Sequence, residues 1–192
     1  MKRIAIFGGT FNPIHLGHLM IAEQVSARLG LSKVIFIPSY TPPHKTKKKL
    51  ASAQDRLAMV KKAIVSNPLF EVSDIEIKRK GKSYTIDTIR QLKKRLKKRT
   101  RLLFIIGADS LSELKDWKDI RDIFTMVTFI VVNRPGFAFR KSLQNSVALE
   151  TPGIEVSSSQ IRSNISKGIS VRYFVPEKVR DYIIKKGLYK KR

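Results

Sequence analysis

A doubly wound α/β domain with a mainly parallel sheet is the fold class that this 192-residue sequence predicts, on three observations. Short runs of apolar residues (Ile4 to Phe7, Val34 to Ile37, Leu102 to Ile106, Met126 to Val132) lack the alternation of a strand with one wet face. Strands of a parallel sheet, covered by helices on both sides, read this way. Between the runs lie segments with helical apolar spacing, so strand and helix alternate along the chain. Finally, glycine turns end two of the runs, at Gly8-Gly9 and Gly107, and an open sheet of this kind binds ligands beyond its carboxyl strand ends.

The first element is Lys2 to His18, KRIAIFGGTFNPIHLGH. After the apolar run the paired glycines turn the backbone, and Thr10 and Phe11 continue the loop. Asn12-Pro13 prevents a helix from running through Asn12 but suits the first turn of a new one. A helix starting near Ile14 carries Leu19, Ile21, Ala22, Val25 and Leu29 toward the sheet and stops at Leu29-Gly30. His15 and His18, three apart, fall on one side of its first turn. Unsatisfied N–H groups and the positive dipole end make a helix start an anion site before any side chain is added. Two imidazoles there point to a phosphate whose charge changes during a reaction. The spacing of Gly8, Gly9 and Gly17 is not that of a dinucleotide loop, and the Gly-Lys-Ser/Thr of a P-loop is missing. Zinc would need a further ligand, but the chain has no cysteine and the third histidine is the distant His44, so no protein metal ligand is expected.

Length and composition bound the rest. The length suits one well-buried domain over residues 1–192 and is short for two. Lack of cysteine excludes a disulfide framework and permits a reducing compartment. The apolar runs are far too short for a membrane span or a signal peptide, which makes a cytoplasmic protein without a membrane partner the expectation. Lysine and arginine number 39 against 15 aspartates and glutamates, a formal net charge of +24. Over Tyr84 to Lys98, Ile86, Ile89, Leu92 and Leu96 mark an apolar face, and Arg90, Lys93, Lys94, Arg95, Lys97 and Lys98 fill much of the remainder as a solvated face would. No aromatic residues interleave with those charges, so no specific nucleic-acid partner is expected. A homo-oligomer is compatible with the sequence.

Beyond Pro38, which closes the second strand, the loop Ser39-Tyr40-Thr41-Pro42-Pro43-His44-Lys45 lies at a carboxyl strand end. Ser52 to Asp55 has the Ser-x-x-Asp pattern of a helix start, followed by Leu57, Val60 and Ile64 before Asn67-Pro68. Phe70, Val72, Ile75 and Ile77 alternate as a half-buried strand would. Asp87, in Tyr84-Thr85-Ile86-Asp87-Thr88, suits the first turn of a helix. Leu102 to Ile106 runs into Gly107-Ala108-Asp109-Ser110, and a carboxylate just past a strand end commonly binds ribose hydroxyls. Trp117 follows, either a half-buried core ring or a stacking surface. Met126 to Val132 leads to Asn133-Arg134-Pro135-Gly136, where Arg134 can face an anion. Residues 137–150 are expected to hold a short helix and a return strand. In Glu155-Val156-Ser157-Ser158-Ser159-Gln160-Ile161-Arg162, Ser157 or Ser158 caps a helix with Arg162 one turn in, and hydroxyls, dipole and guanidinium together form a diphosphate clamp. Pro176 to Gly187 reads as a closing helix followed by a frayed basic tail, Lys190 to Arg192.

GGTFNPIHLGH resembles the signature of the HxGH nucleotidyltransferase superfamily, with His15-Leu16-Gly17-His18 as its tetrad. The PPHK, Tyr84-Thr85-Ile86-Asp87, Gly107-Ala108-Asp109 with Trp117-Lys118, and SSxxIR segments narrow the resemblance to the bacterial nicotinate-nucleotide adenylyltransferases. The last has Gln160 where threonine is common. The resemblance implies a Rossmann-like fold and the reaction of ATP with nicotinate mononucleotide to give nicotinate adenine dinucleotide and pyrophosphate. It implies ATP contacts from Gly8, Gly9, Thr10, Phe11, His18, Gly107, Asp109, Ser158 and Arg162. His15 and His18 serve the phosphates and the transition state. Lys45, with His44 beside it, approaches the mononucleotide phosphate, and Arg134 lies on the substrate side. Trp117 stacks on the pyridine ring, whose carboxylate is received by backbone N–H groups near Thr85 and Trp117. Mg²⁺ is expected as the cofactor, bound through the ATP phosphates; Asn12 stands where many relatives have aspartate.

Overall fold

The computed structural model describes residues 1–41, 50–97, 99–133, 143–152 and 154–191. The apolar runs become strands: β1 (Lys2–Gly9), β2 (Lys33–Pro38), β3 (Phe70–Val72), β4 (Thr100–Gly107), β5 (Thr128–Asn133) and β6 (Ser146–Glu150). They form one six-stranded sheet in the order β3-β2-β1-β4-β5-β6, and every neighbouring pair is parallel. This is the doubly wound order, and the crevice between β1 and β4, where it reverses, is its ligand position.

The runs were apolar throughout because each strand feeds two cores. Ala5, Phe7, Val34, Phe36, Leu103 and Ile105 point to one face, where they meet Ala22 and Val25 of α1 (Leu16–Leu29), Met59 and Val60 of α2 (Ala53–Ile64), and Ile161 and Val179 farther along. The alternate residues Ile4, Ile6, Ile35, Ile37, Phe104 and Ile106 face the other way. They pack on Ile75 of α3 (Ile75–Arg79), on Ile86, Ile89 and Leu92 of α4 (Thr85–Arg95), and on Ile123 of α5 (Ile120–Met126). Burying one such side chain contributes about 1.5–3 kcal/mol. The first face is completed by α6 (Ser158–Ser166) and α7 (Glu177–Lys185).

Several expectations need correction. The helix placed near Ile14 begins at Leu16, with extended His15 as its N-cap; Pro13 stays in the preceding turn and fully buried Ile14 plugs the core. Phe70 to Ile77 is not one strand. The ladder closes where Ser73 N–H donates to the Phe36 carbonyl (2.9 Å), and Ile75 and Ile77 belong to α3, where both are buried and Ile75 joins the second core. Helix α4 is shorter than Tyr84 to Lys98, because Leu96 turns extended. The strand expected within 137–150 is β6; of the same stretch, 137–142 lie outside the described residues, and the short helix expected there does not appear among the rest. The strand expected from Met126 begins at Thr128, because Met126 ends α5; Ser52 caps α2 as expected by accepting Asp55 N–H, and Gly187 in left-handed conformation (φ 60°) follows α7. Among the described residues no helix is long and apolar enough to cross a membrane.

Candidate active site

The β1–α1 loop is shaped by rings lying against glycines. Phe11 adopts a left-handed backbone (φ 47°) that folds its ring onto Gly9, where a Cβ would come within 3.0 Å of Phe11 Cζ. The same ring meets Phe7 (5.8 Å between centroids) and His18 (5.2 Å) edge-on. Gly17 has the same logic, since a Cβ there would lie 3.1 Å from His15 Nδ1. The residue between Leu16 and His18 must therefore be small for the two imidazoles to meet, and they do, with centroids 3.7 Å apart at 36°. His15 N–H donates to His18 Nδ1 (3.2 Å), so a neutral His18 carries its proton on Nε2. His15 is only 3% exposed, whereas His18 is half-buried and walls a cleft with Gly17, Asn133, Thr151 and Val156.

Helix α6 is clamped onto this loop. Ser157 is the cap, its hydroxyl accepting Gln160 N–H (3.1 Å). Ser158 is thereby left to donate to the Pro13 carbonyl (2.8 Å). Arg162 donates through Nη1 to the Asn12 carbonyl (2.9 Å) and through Nη2 to Ser159 Oγ (3.2 Å). Its Nε is buried with no partner among the described residues.

A second guanidinium holds the loop from beneath. Arg56 of α2 is 0% exposed and donates to three main-chain carbonyls: Thr10 (2.8 Å), Tyr40 (2.9 Å) and Ala51 (3.1 Å). Burial lowers its pKa from the ordinary arginine value, while Tyr189 and Glu76 oppose that shift. Three carbonyls from three segments satisfy a charge that would otherwise be costly to bury. Asn12 Oδ1 in turn accepts Ala51 N–H (3.1 Å) and the Tyr189 hydroxyl (2.8 Å).

On the opposite face of the sheet, β4 ends at Gly107 and a 3₁₀ segment runs from Ala108 to Asp116. Asp109 is exposed but folds its carboxylate back over Gly107, where a Cβ would collide with Oδ1. Half-buried Trp117 stands edge-on to Phe104 (5.6 Å, 78°). Tyr84 is the N-cap of α4, and Lys118 Nζ lies over its ring at 5.1 Å, which joins the tyrosine and tryptophan segments. Thr85, Ile86 and Asp87 form the first turn of α4, where N–H groups lack helical acceptors. Beneath them Thr88 Oγ1 donates to Glu76 Oε1 (2.7 Å) and accepts from Arg79 Nη2 (3.0 Å). Burial raises the pKa of the Glu76 carboxyl, against hydrogen bonds from Thr88 and Ser83 and the charges of Arg79 and Arg56. Ser83 also accepts Tyr40 N–H (2.9 Å), which stitches the loop after β2 to the start of α4.

The family model that matches is described as cytidylyltransferase-like and spans residues 6–164. A relative from Desulfitobacterium hafniense (strain Y51) is 43% identical over 98% of this chain and 96% of its own length. One from Lactiplantibacillus plantarum is 46% identical over 98% and 88%. Both are named probable nicotinate-nucleotide adenylyltransferase. The chain belongs to this nicotinate-nucleotide adenylyltransferase family. Among solved structures, Plasmodium falciparum nicotinic acid mononucleotide adenylyltransferase complexed with NaAD superposes with a TM-score of 0.82 at 21% identity, covering 98% of both chains. The Rossmann-like fold is thus shared far beyond recognisable sequence.

Within this nucleotidyltransferase frame, Gly8, Gly9, Thr10, Phe11, His15 and His18 run from the end of β1 through the loop into the first turn of α1, and Ser158 and Arg162 are packed against the loop. Gly107, Asp109, Tyr84, Thr85 and Trp117 gather at strand and helix ends of the other face. One detail differs from expectation: the Trp117 N–H donates to the Leu114 carbonyl (3.1 Å) and is spent inside the 3₁₀ segment. Lys45 and Arg134, together with His44, lie outside the described residues. Sequence reasoning missed Arg56, Glu76 and Tyr189. Arg56 was detectable, because it falls on the buried stripe with Val60 and Ala63, where an arginine is anomalous. Glu76 and Tyr189 carried no such signal.

Proposed function

We infer that the chain is an enzyme of NAD biosynthesis that joins ATP and nicotinate mononucleotide into nicotinate adenine dinucleotide and pyrophosphate, with residues 1–192 acting as one catalytic unit. The observation that carries the reading is the packing of α6 onto the β1–α1 loop at the sheet's switch point. It ties the loop that leads into the paired histidines and the α1 start to a helix whose serine and arginine bond to that loop's carbonyls. Such a concentration of donors suits a polyphosphate.

A phosphate oxygen of the mononucleotide is already ionised at neutral pH. It can form its bond to the α-phosphorus of ATP while the bond from that phosphorus to the pyrophosphate oxygen breaks. The leaving group takes the electron pair and no proton needs to move, so neither a general base nor a protein nucleophile is required. Catalysis then consists of positioning and charge stabilisation. His18, through Nε2, and His15 beneath it are assigned to the phosphates with the N–H groups of the α1 start, Ser158 and Arg162 to the departing pyrophosphate, and Asp109 to the ribose. The first turn of α4 receives the pyridine carboxylate and Trp117 offers its ring; Lys45 and Arg134 complete the substrate side.

Mg²⁺ fits as a companion of the nucleotide. No group of three or more metal-ligating side chains converges among the described residues, and Asn12 Oδ1 is engaged by two donors, so phosphate oxygens and water would hold the ion. When bound it supplies charge neutralisation on the phosphates. A pyrophosphate-release assay with ATP and a panel of phosphorylated acceptors tests the reading: nicotinate mononucleotide should be the strongly preferred acceptor, and turnover only with another acceptor would refute it.

A further inference from the structure

The segment after α7 returns to the nucleotide loop. Leu188 N–H donates to the Ile183 carbonyl (3.0 Å) and Gly187 N–H to that of Ile184 (3.1 Å), which ends the helix with Gly187 left-handed. Tyr189 is then also left-handed (φ 67°), a conformation that a non-glycine residue keeps only where its surroundings hold it. Two such turns swing the Tyr189 ring onto the core beside Leu188 and bring its hydroxyl 2.8 Å from Asn12 Oδ1. The helix itself is moored by the Tyr182 hydroxyl, which donates to Asp55 Oδ1 (2.9 Å) at the capped start of α2.

The direction of the contact is fixed by its neighbour. Ala51 N–H also reaches Asn12 Oδ1 (3.1 Å), and a main-chain amide can only donate, so this atom is the amide oxygen and Tyr189 is a donor to it. Burial raises the phenol above its ordinary pKa, although Arg162 and Arg56 act against the shift; the group is therefore protonated at neutral pH. Asn12 is held at two points, its carbonyl by Arg162 of α6 and its side chain by residues 51 and 189. The residue lies between Thr10, whose carbonyl Arg56 takes, and His15, the N-cap of α1.

We propose that Tyr189 is a positioning residue for the nucleotide loop, its hydroxyl acting through Asn12 to fix the loop that presents the α1 start and the two histidines. This rests on the nucleotide reading of that loop, but not on the identity of the acceptor. No part of Tyr189 has to touch ATP. A loop freed at Asn12 misplaces its N–H groups, and displacements of about an ångström can cost up to about 10²-fold in rate.

The test is Tyr189→Phe, which keeps the ring and its packing and removes one oxygen. Affinity for ATP, measured by calorimetry without acceptor, should weaken ~5–10-fold, and kcat should fall about tenfold, the scale expected of one lost directional contact. KM for nicotinate mononucleotide should stay within about twofold and Tm within about 4 °C, as for a loss no larger than about 1 kcal/mol in a chain of this size. Asn12→Ala, alone and combined with Tyr189→Phe, completes a double-mutant cycle in which the second change should add little to the first. Unchanged ATP affinity in Tyr189→Phe, or fully additive losses in the cycle, would overturn the proposal. Wild-type turnover run in parallel reports separately on the activity: ATP affinity still reads the loop if the acceptor proves to be another phosphate.

Discussion

The two sides of the site are built by different means. On the side we assign to the nucleotide, side chains bond to main-chain carbonyls and to one amide oxygen: Arg56 to Thr10, Arg162 to Asn12, Ser158 to Pro13, Tyr189 to Asn12 Oδ1. On the side we assign to the acceptor, the positions of Tyr84, Trp117 and Lys118 come from ring contacts and the apolar seat of α4, with one polar network beneath. Directional bonds to backbone fix a loop in every degree of freedom, which suits a site that must stabilise charge developing at one phosphorus. Packed rings and a helix start suit a flat heterocycle carrying a carboxylate. Mutations on the first side should therefore act on rate, and those on the second on choice of substrate.

The sharpest way to break this contrast is at His18. Alanine would delete the acceptor for His15 N–H together with the Nε2 donor, mixing a capping loss of about 1 kcal/mol with catalysis. His18→Asn separates them, because its amide oxygen can stand near the position of Nδ1 and nothing replaces Nε2. Its kcat should fall by ~10²–10³, the usual result of losing one preorganised donor, with Tm close to wild type. A folded His18→Asn enzyme of near-normal turnover would remove this nitrogen from the mechanism.

The acceptor side makes the next prediction. An amide in place of the carboxylate presents NH₂ donors to the N–H groups at the α4 start and removes a charged acceptor, at about 2.7 kcal/mol or more. That corresponds to at least ~10²-fold in kcat/KM favouring nicotinate over nicotinamide mononucleotide. Competition between the two at fixed ATP measures it. Because the Trp117 N–H is spent on Leu114, the preference has to come from the α4 end: Trp117→Phe should leave the ratio nearly intact while raising KM for both acceptors.

Arg162→Lys should have a smaller effect, confined to the nucleotide side. A lysine can reach one carbonyl but cannot bridge Asn12 and Ser159 while presenting a planar fork to phosphate. Affinity for ATP and pyrophosphate should drop about tenfold with that for the mononucleotide unchanged, as read by product inhibition. Equal losses for both substrates would mean that the two sides are not separable.

What the sequence revealed follows the same division. Strands with two buried faces, a glycine loop and paired histidines are local patterns, and β1, β2, β4, β5 and the 8–18 segment could be read directly, apart from the residue at which α1 starts. The Ser-Ser-x-x-Ile-Arg helix could too, although which serine caps and which reaches Pro13 depends on how α6 docks. Ile75 and Ile77 misled, because two apolar residues around one acid fit a strand as well as a single helical turn. The contacts that set the geometry join residues far apart in the chain, 46 for Arg56 to Thr10 and 177 for Tyr189 to Asn12, and no local periodicity encodes them.

The smallest expected effect concerns Glu76, on the acceptor side. Its carboxyl sits under the start of α4, and burial raises its pKa in the folded chain despite Thr88 and Arg79. The folded state therefore holds this proton more tightly than the unfolded state, and stability from this group is full below the ordinary carboxylate range and declines as pH rises through the folded pKa. A glutamine at this position would not titrate, yet its amide oxygen could still accept from Thr88 Oγ1. Tm of Glu76→Gln should come closest to wild type below the ordinary carboxylate range, where both side chains are neutral in both states, and should gain on it as pH rises through the folded pKa of Glu76. A gap that stays constant through that rise would show that Glu76 titrates alike in both states. Activity should change less than twofold, since the network supports the α4 start from below and touches neither substrate. A larger change confined to KM for nicotinate mononucleotide would show that the acceptor side, too, depends on a directional bond.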